Sequence, residues 1–146
     1  MHIRDTKISD LRQLSWLYRQ NYYGDSKIET DLEKMTNKYK ELSIDDNYKF
    51  ISVIDDDKIV GFCSLIVNHC IFEEQKPTVM LWTLRVHPDY RNKKIGKAII
   101  EYVKDFCKSL NAESVFLGCD KQNEGAIKFY NKLNFEETLG FVKIFN

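Results

Sequence analysis

The strongest structural signal in the chain is a basic segment that joins an apolar run to an amphipathic one. It reads Val86-His87-Pro88-Asp89-Tyr90-Arg91-Asn92-Lys93-Lys94-Ile95-Gly96-Lys97. The apolar run over residues 79–86 predicts a strand, and the helical period of apolar residues over 95–106 predicts a helix. A helix start leaves backbone N–H groups unpaired and carries partial positive charge, so this junction suits a pyrophosphate group.

The side chains of this segment fit the same interpretation. Gly96 would let the backbone approach a phosphate closely, because it has no side chain. Four cations would supply countercharge: Arg91, Lys93, Lys94 and Lys97. Taken alone, these cations fit a solvated surface equally well.

Two helices are predicted before this segment. The first follows the capping candidates Ser9 and Asp10 and has four apolar residues at helical spacing: Leu11, Leu14, Leu17 and Tyr18. The second begins with a capping box over residues 26–29, and its apolar stripe runs from Ile28 to Leu42.

The middle and the end of the chain are richer in strand patterns. A short strand starts at Ile3, and residues 50–54 and 59–67 form a predicted hairpin around the turn 55–57. The near-continuous apolar run over 79–86 is typical of a strand covered on both faces in the middle of a sheet. Further predictions are a strand over 114–117, a helix over 123–133 and a final strand over 139–145. The predicted class is therefore α/β with mixed strands.

The length and the net charge of the chain limit the classes of function that it can have. The chain has 146 residues, which suits a single domain over 1–146. With 22 basic and 22 acidic residues there is no net positive field to hold a polyanion, so we expect no nucleic acid partner. The sequence contains neither a signal peptide pattern nor an apolar run of membrane-spanning length, which predicts a cytoplasmic protein with no membrane partner. The four cysteines and three histidines lack metal-ligand spacing, so we expect no metal.

A second motif, near the end of the chain, indicates one protein family. It reads Asn123-Glu124-Gly125-Ala126-Ile127-Lys128-Phe129-Tyr130-Asn131-Lys132-Leu133-Asn134-Phe135. Together with the basic segment it resembles the two coenzyme motifs of the GCN5-related N-acetyltransferase (GNAT) family, and the resemblance covers nearly the whole chain. It implies a mixed, mostly antiparallel central sheet of six to seven strands flanked by about four helices. It also implies acetyl-CoA as cosubstrate and the helices over 9–43 as the wall of the acceptor side.

The resemblance implies a set of coenzyme-binding residues. Backbone groups of Leu84, Arg85 and Val86 would bond the pantetheine amides, as an added strand does. The loop that would bind the pyrophosphate comprises Arg91, Asn92, Lys93, Lys94, Ile95, Gly96 and Lys97. Asn123, Ala126 and Tyr130 would contact the coenzyme from the second motif, although Asn123 also fits a simple helix N-cap.

Two residues depart from the family pattern, which has glycine at both positions. At Lys94, either the backbone has negative φ or the residue carries a modest strain. Asn134 is the next-best residue for a left-handed helix C-cap, so we expect that geometry to be kept.

The resemblance implies direct acetyl transfer to an amine, with Tyr130 as the general acid that protonates the departing thiolate. The alternative for Tyr130 is a core tyrosine on an apolar helix face. No carboxylate occurs over 80–84, where many relatives have a glutamate, so the sequence assigns no general base. Glu73 and Glu74 could attract a cationic substrate, or they are solvated loop residues.

The acceptor and the assembly stay open at this point. We expect a small-molecule amine, with a pocket that Trp82 and Phe72 could line. The alternatives are a protein N-terminus or lysine as acceptor, and a non-catalytic acyl-CoA-binding module. A homodimer is possible, because family members often pair.

Overall fold

A computed structural model of the protein describes residues 1–21, 24–25, 31–72 and 75–145. The chain divides into two compact units, Met1–Phe116 and Leu117–Asn146. The first contains the central sheet and three helices, and the second contains one helix. The single domain over 1–146 stays a prediction.

Among the described residues, the central sheet has five strands. In their order across the sheet they are β1 (His2–Asp5), β4 (Tyr48–Asp55), β5 (Lys58–Asn68), β6 (Thr78–Val86) and β7 (Ser114–Phe116). All neighbours are antiparallel except the pair β6 and β7. A separate two-stranded sheet pairs β2 (Gln20–Asn21) with β3 (Gly24–Asp25).

The described residues form four α-helices, as the family resemblance implies. They are α1 (Leu11–Arg19), α2 (Leu32–Ser43), α3 (Ile95–Ser109) and α4 (Glu124–Lys132). Asp31 caps α2 by accepting hydrogen bonds from the backbone N–H groups of Glu33 and Lys34. The predicted capping box over 26–29 includes no described residue.

The hairpin β4–β5 forms at the predicted turn. Asp55 pairs with Lys58, which leaves Asp56 and Asp57 as a two-residue loop. Both loop residues have left-handed backbone, with φ of 44° and 63°. Such a loop matches the twist of the two strands, and this agreement fixes the register of the hairpin.

The sheet is covered on both faces. On one face a buried cluster joins α1 to the hairpin, and Met35 of α2 and Phe62 of β5 pack against it; its members are Leu11, Leu14, Leu17, Ile54 and Ile59. On the other face α3 lies so close that a Cβ on Gly61 would come 2.9 Å from Ile95 Cγ2 and 3.2 Å from Ile99 Cδ1. Fully burying each such aliphatic side chain stabilises the fold by roughly 1.5–3 kcal/mol.

A β-bulge in β6 explains the near-continuous apolar run over 79–86. Ser64 of β5 pairs with Thr83, and the next residue, Leu65, pairs with Leu81, so Trp82 has no partner on β5. The extra residue reverses the side-chain alternation of the strand. The expectation of cover on both faces along the whole strand is therefore wrong, and Trp82 is 69% exposed.

The expected six to seven strands are corrected to five in the central sheet. The difference includes the strand predicted over 139–145, where the structure has no regular secondary structure. Large apolar side chains of this segment are exposed, among them Phe141 at 92% and Val142 at 88%. A strand exists only where its backbone groups meet a ladder partner, and the described residues offer none here.

Candidate active site

The strand β6 has an open edge beside the start of α3. Its pairing with β7 covers only Thr78–Met80. Among the described residues of Met1–Phe116, no strand pairs with β6 beyond Met80 on that side. An open edge offers a row of backbone donors and acceptors to an extended ligand.

The register of β5 and β6 shows which backbone groups face this open edge. The N–H of His87 donates to the carbonyl of Val60 over 2.9 Å. From there the cross-strand pairs continue without a shift, from Gly61 opposite Val86 to Ser64 opposite Thr83. Because bonded pairs alternate along an antiparallel ladder, Arg85 bonds toward β5, and Leu84 and Val86 direct their backbone groups away from it. Of the three backbones assigned to the coenzyme from sequence, the open edge therefore presents Leu84 and Val86 but not Arg85.

The first turn of α3 has no side-chain cap. Lys94 is the N-cap residue, and its side chain makes no capping hydrogen bond. The N–H groups of Ile95, Gly96 and Lys97 belong to the first turn, where an α-helix provides no intrahelical acceptor. With the partial positive charge of the helix start, these three groups have the chemistry that an anion needs.

The backbone before this turn is left-handed at two positions. Lys94 has φ 65° and ψ 11°, and Asn92 has φ 60°. The strained alternative for Lys94 is therefore the one that the structure adopts. Lys94 and Lys97 are exposed, Arg91 and Gly96 are half-buried, and Ile95 is buried against the sheet.

His87 anchors the loop between β6 and α3. Its ring is 5% exposed, stacks on Trp16 at 4.9 Å between centroids, and meets Tyr90 edge-on at 5.5 Å. Its Nδ1 accepts the N–H of Asp89 over 3.2 Å. Burial and the nearby Lys58 hold the pKa of His87 below its ordinary value, against the opposing charge of Asp89. A neutral imidazole at pH 7 is consistent with its role as acceptor.

Tyr90 in turn orders two lysines. The Nζ atoms of Lys93 and Lys58 lie 4.9 Å and 5.3 Å from the centroid of its ring. Partial desolvation and the neighbouring Asp55 raise the pKa of the Tyr90 hydroxyl. One cation of the loop, Lys93, thus makes a cation–π contact with Tyr90, and Lys58 of β5 makes a second one with the same ring.

The second motif builds α4 and its two caps. Asn123 Oδ1 accepts the N–H of Ala126 over 3.0 Å, so the side chain of Asn123 is a helix N-cap. At the other end of α4, Asn134 has a left-handed φ of 62°. The N–H of Asn134 donates to the carbonyl of Asn131, and the N–H of Phe135 donates to the carbonyl of Tyr130. This is a Schellman motif, and it confirms the left-handed C-cap predicted at Asn134.

The same cap fixes the position of Tyr130 on α4. Its half-buried ring meets the rings of Phe129 and Phe135 edge-on, with centroids 5.0 Å and 5.3 Å apart. The ring is therefore held between two aromatic neighbours, and its backbone carbonyl closes the helix. These contacts do not test the role of Tyr130 as general acid, which stays a prediction.

A cavity of about 230 Å³ lies between the first two helices and the sheet. Its lining residues are Leu14, Leu17, Tyr18, Met35, Phe62 and Arg85. Sequence reasoning placed the acceptor wall on these helices but missed the side chain of Arg85, whose facing depends on the bulge at Trp82. Phe72 and Trp82 are 63% and 69% exposed and do not line this cavity, and Glu73 and Glu74 lie outside the described residues.

A family comparison decides the assignment of the chain. The model of the acetyltransferase (GNAT) family matches residues 9–135. The chain belongs to the GNAT family. An uncharacterized N-acetyltransferase of Methanocaldococcus jannaschii is 31% identical to this GNAT chain over 136 residues, which are 92% of this chain and 60% of the relative. An uncharacterized N-acetyltransferase of Bacillus velezensis is 30% identical over 96 residues, 63% of this chain and 55% of the relative.

Solved structures share the GNAT fold of this chain at low sequence identity. A transcriptional regulator from Bacillus halodurans superposes with a TM-score of 0.89 at 20% identity, covering 99% of both chains. Glucosamine-6-phosphate N-acetyltransferase from Arabidopsis thaliana superposes at 0.79 with 22% identity, covering 99% of this chain and 98% of that chain. The chain spans only about 55–60% of the length of the curated relatives above.

The residues present fit the cosubstrate of GNAT enzymes, acetyl-CoA. The open edge of β6 offers unpaired amide positions at Leu84 and Val86, and the uncapped start of α3 follows a loop that carries lysines. These are the partners that an extended diamide chain and a pyrophosphate need. Among the described residues, no cluster of three or more His, Cys, Asp or Glu could hold a metal ion, and no helix could span a membrane. The absence of a metal and the cytoplasmic location stay predictions.

Proposed function

We propose that the protein transfers the acetyl group of acetyl-CoA directly to an amine on a small molecule. The observation that carries this proposal is the open edge of β6 running into an uncapped helix start on the same unit. The strand β6 offers a row of backbone amide groups, and the start of α3 offers N–H groups together with positive charge. Few ligands other than a coenzyme A thioester require both.

The binding residues follow from this geometry. The backbone groups of Leu84 and Val86 would pair with the amides of the pantetheine arm. The N–H groups of Ile95, Gly96 and Lys97 would hold the pyrophosphate, and the exposed lysines of the loop would add countercharge.

The chemistry needs few protein groups. Acetyl-CoA supplies an acetyl group already activated as a thioester. A main-chain N–H at the end of β6 would hold the carbonyl oxygen as negative charge develops on it. The hydroxyl of Tyr130 would give its proton to the departing sulfur, since a phenol, with a pKa ordinarily of about 10, is protonated at neutral pH.

The cavity supports a small acceptor. At about 230 Å³ it is smaller than the roughly 300–1,000 Å³ typical of drug-sized ligand sites. It is lined by side chains of α1, α2, β5 and β6. A protein N-terminus or lysine would need an extended groove, and a non-catalytic acyl-CoA-binding module would have no use for an acceptor cavity.

The test is acetyl transfer itself. Purified protein is supplied with acetyl-CoA and a panel of small amines and peptides, and thiol release is compared with the acetylated product seen by mass spectrometry. We expect turnover with small amines, and in Tyr130→Phe a fall in kcat of roughly 100-fold, with the KM for acetyl-CoA nearly unchanged. Tyr48→Phe removes a hydroxyl from β4 instead and serves as the control.

Three outcomes would contradict the proposal. Equal losses of turnover and acetyl-CoA affinity in Tyr130→Phe would remove the general-acid role. Acetylation of peptides with no small-amine turnover would shift the function to protein acetylation. Binding of acetyl-CoA with no acetylated product from any acceptor would favour the acyl-CoA-binding module.

A further inference from the structure

The described lining of the acceptor cavity is apolar except for one cation. Five of the six described residues that line it present aliphatic or aromatic surface: Leu14, Leu17, Tyr18, Met35 and Phe62. The sixth is Arg85 of β6. Since it lines the same cavity as residues of α1 and α2, the side chain of Arg85 lies on the sheet face that these helices cover.

The guanidinium of Arg85 has spare donors in this cavity. Its Nε is buried and has no hydrogen-bond partner in the described part of the chain. Nη1 makes one long bond, 3.3 Å, to the carbonyl of Leu84, and Cζ lies 5.6 Å from the ring centroid of Tyr18. A guanidinium carries five N–H donors, so most of them are left for a ligand.

Among residues 1–20, 31–72 and 75–145, no acidic side chain pairs with this guanidinium. The ion pairs found there link other residues, and the described lining of the cavity contains no carboxylate. Burying part of a guanidinium costs free energy unless an acceptor compensates its lost hydration. The natural complement is an oxyanion that can accept two parallel N–H bonds.

We propose that the acceptor is an amine that carries an oxyanion, a carboxylate or a phosphate, on a short apolar scaffold, and that Arg85 binds this oxyanion. The apolar walls would receive the scaffold, and the cavity volume limits it to a small one. This inference rests on the proposed acetyl transfer and names the acceptor class for it.

The same charge acts on the amine. The acceptor nitrogen must lose a proton before it can attack, and a cation in the same cavity disfavours the ammonium form. Arg85 would thus also reject diamines and polyamines, which bring a second positive charge.

The test uses matched pairs of amines that differ in the oxyanion. Phenylalanine is compared with phenethylamine, and O-phosphoethanolamine with ethanolamine, so the two arms separate carboxylate from phosphate. We expect one anionic member to be preferred, and Arg85→Met to raise its KM by about tenfold to a hundredfold, the range for a hydrogen bond to a charged group. Arg85→Lys keeps the positive charge but loses the two parallel N–H donors of the guanidinium, so its KM should lie between those of the wild type and Arg85→Met. Arg12→Met, which removes an exposed cation from α1, should leave the preference unchanged.

A binding measurement separates this inference from the proposed function. 3-Phenylpropionate and inorganic phosphate, which have no amine, are titrated into the wild type and Arg85→Met, and melting curves show that both are folded. Binding of either anion that depends on Arg85, without acetylation of any amine, would keep the cavity assignment and overturn the transferase. Acetylation of the amines that carry a carboxylate or a phosphate with equal efficiency in wild type and Arg85→Met would overturn the cavity assignment and keep the transferase.

Discussion

The carboxylate of Asp10 accepts four hydrogen bonds, and three of them come from residues of β1 and β4. Arg4 donates two of them, over 2.7 and 2.9 Å, and the N–H of Lys7 and the hydroxyl of Ser52 donate the others. Burial by itself would raise the pKa of Asp10, but these donors and the charge of Arg4 lower it below its ordinary value. Asp10 is 4% exposed, so little water competes for these bonds.

Replacing Asp10 with Asn should cost about 2–4 kcal/mol of unfolding free energy, because Arg4 loses its counterion while staying half-buried. Urea denaturation measures this cost. The pH dependence has a definite sign. The pKa is lower in the folded chain than in the unfolded one, where it is about 3.9, so stability is complete above that value and falls as pH drops through the folded pKa. Asp10→Asn should flatten this decline.

Asp5→Asn is the matched control, because Asp5 pairs with Lys49 at 2.7 Å but has a 71% exposed side chain. An exposed pair contributes about 0–1 kcal/mol, so this variant should change stability little. Equal effects of the two substitutions would refute the role of Asp10. The sequence predicts Asp10 as an N-cap candidate for the first helix. Its side chain makes no capping bond to α1, and it accepts from Arg4 and from the N–H of Lys7 instead.

At the scale of elements, the loop before α3 is held in a strained backbone. Lys94 has left-handed φ, where a side chain crowds the backbone, and it follows the left-handed Asn92 by two residues. The sequence left the sign of φ at Lys94 open. At Asn134 it predicted the left-handed geometry correctly, because a helix C-cap demands it whatever the tertiary contacts.

Replacing Lys94 with Gly should raise the unfolding free energy by about 1 kcal/mol, because glycine tolerates positive φ without steric cost. Lys94→Ala removes the same charge but keeps Cβ, so it should give no gain. Urea denaturation of both variants separates strain from charge. An equal gain in both would show that charge repulsion in the loop, not backbone strain, limits stability.

The strand β6 and the segment 139–145 show which features the hydrophobic pattern does not predict. Hydrophobic period predicted α3 and the hairpin, because each element carries its own apolar face. The run over 79–86 and the segment 139–145 both read as strands. One contains a bulge and the other has no ladder partner among the described residues, and both facts depend on neighbours that the period does not encode.

At the scale of the molecule, the site in Met1–Phe116 combines local and distant parts. The uncapped start of α3 lies within a single motif, so its residues could be predicted from sequence, and the same holds for the caps of α4 taken by themselves. The acceptor cavity joins α1, α2, β5 and β6. The facing of Arg85 there follows from the bulge and the register, which only the folded chain reveals.

The most direct test of the coenzyme site is a calorimetric titration of acetyl-CoA into the wild type, Gly96→Asp and Gly96→Asn. A carboxylate at a helix start stabilises the helix but repels a pyrophosphate, so Gly96→Asp should stay folded and bind at least about tenfold more weakly. Gly96→Asn has the same size without the charge and should lose less affinity. We expect one acetyl-CoA per wild-type chain. No binding to the folded wild type, or equal affinity for wild type and Gly96→Asp, would contradict the account.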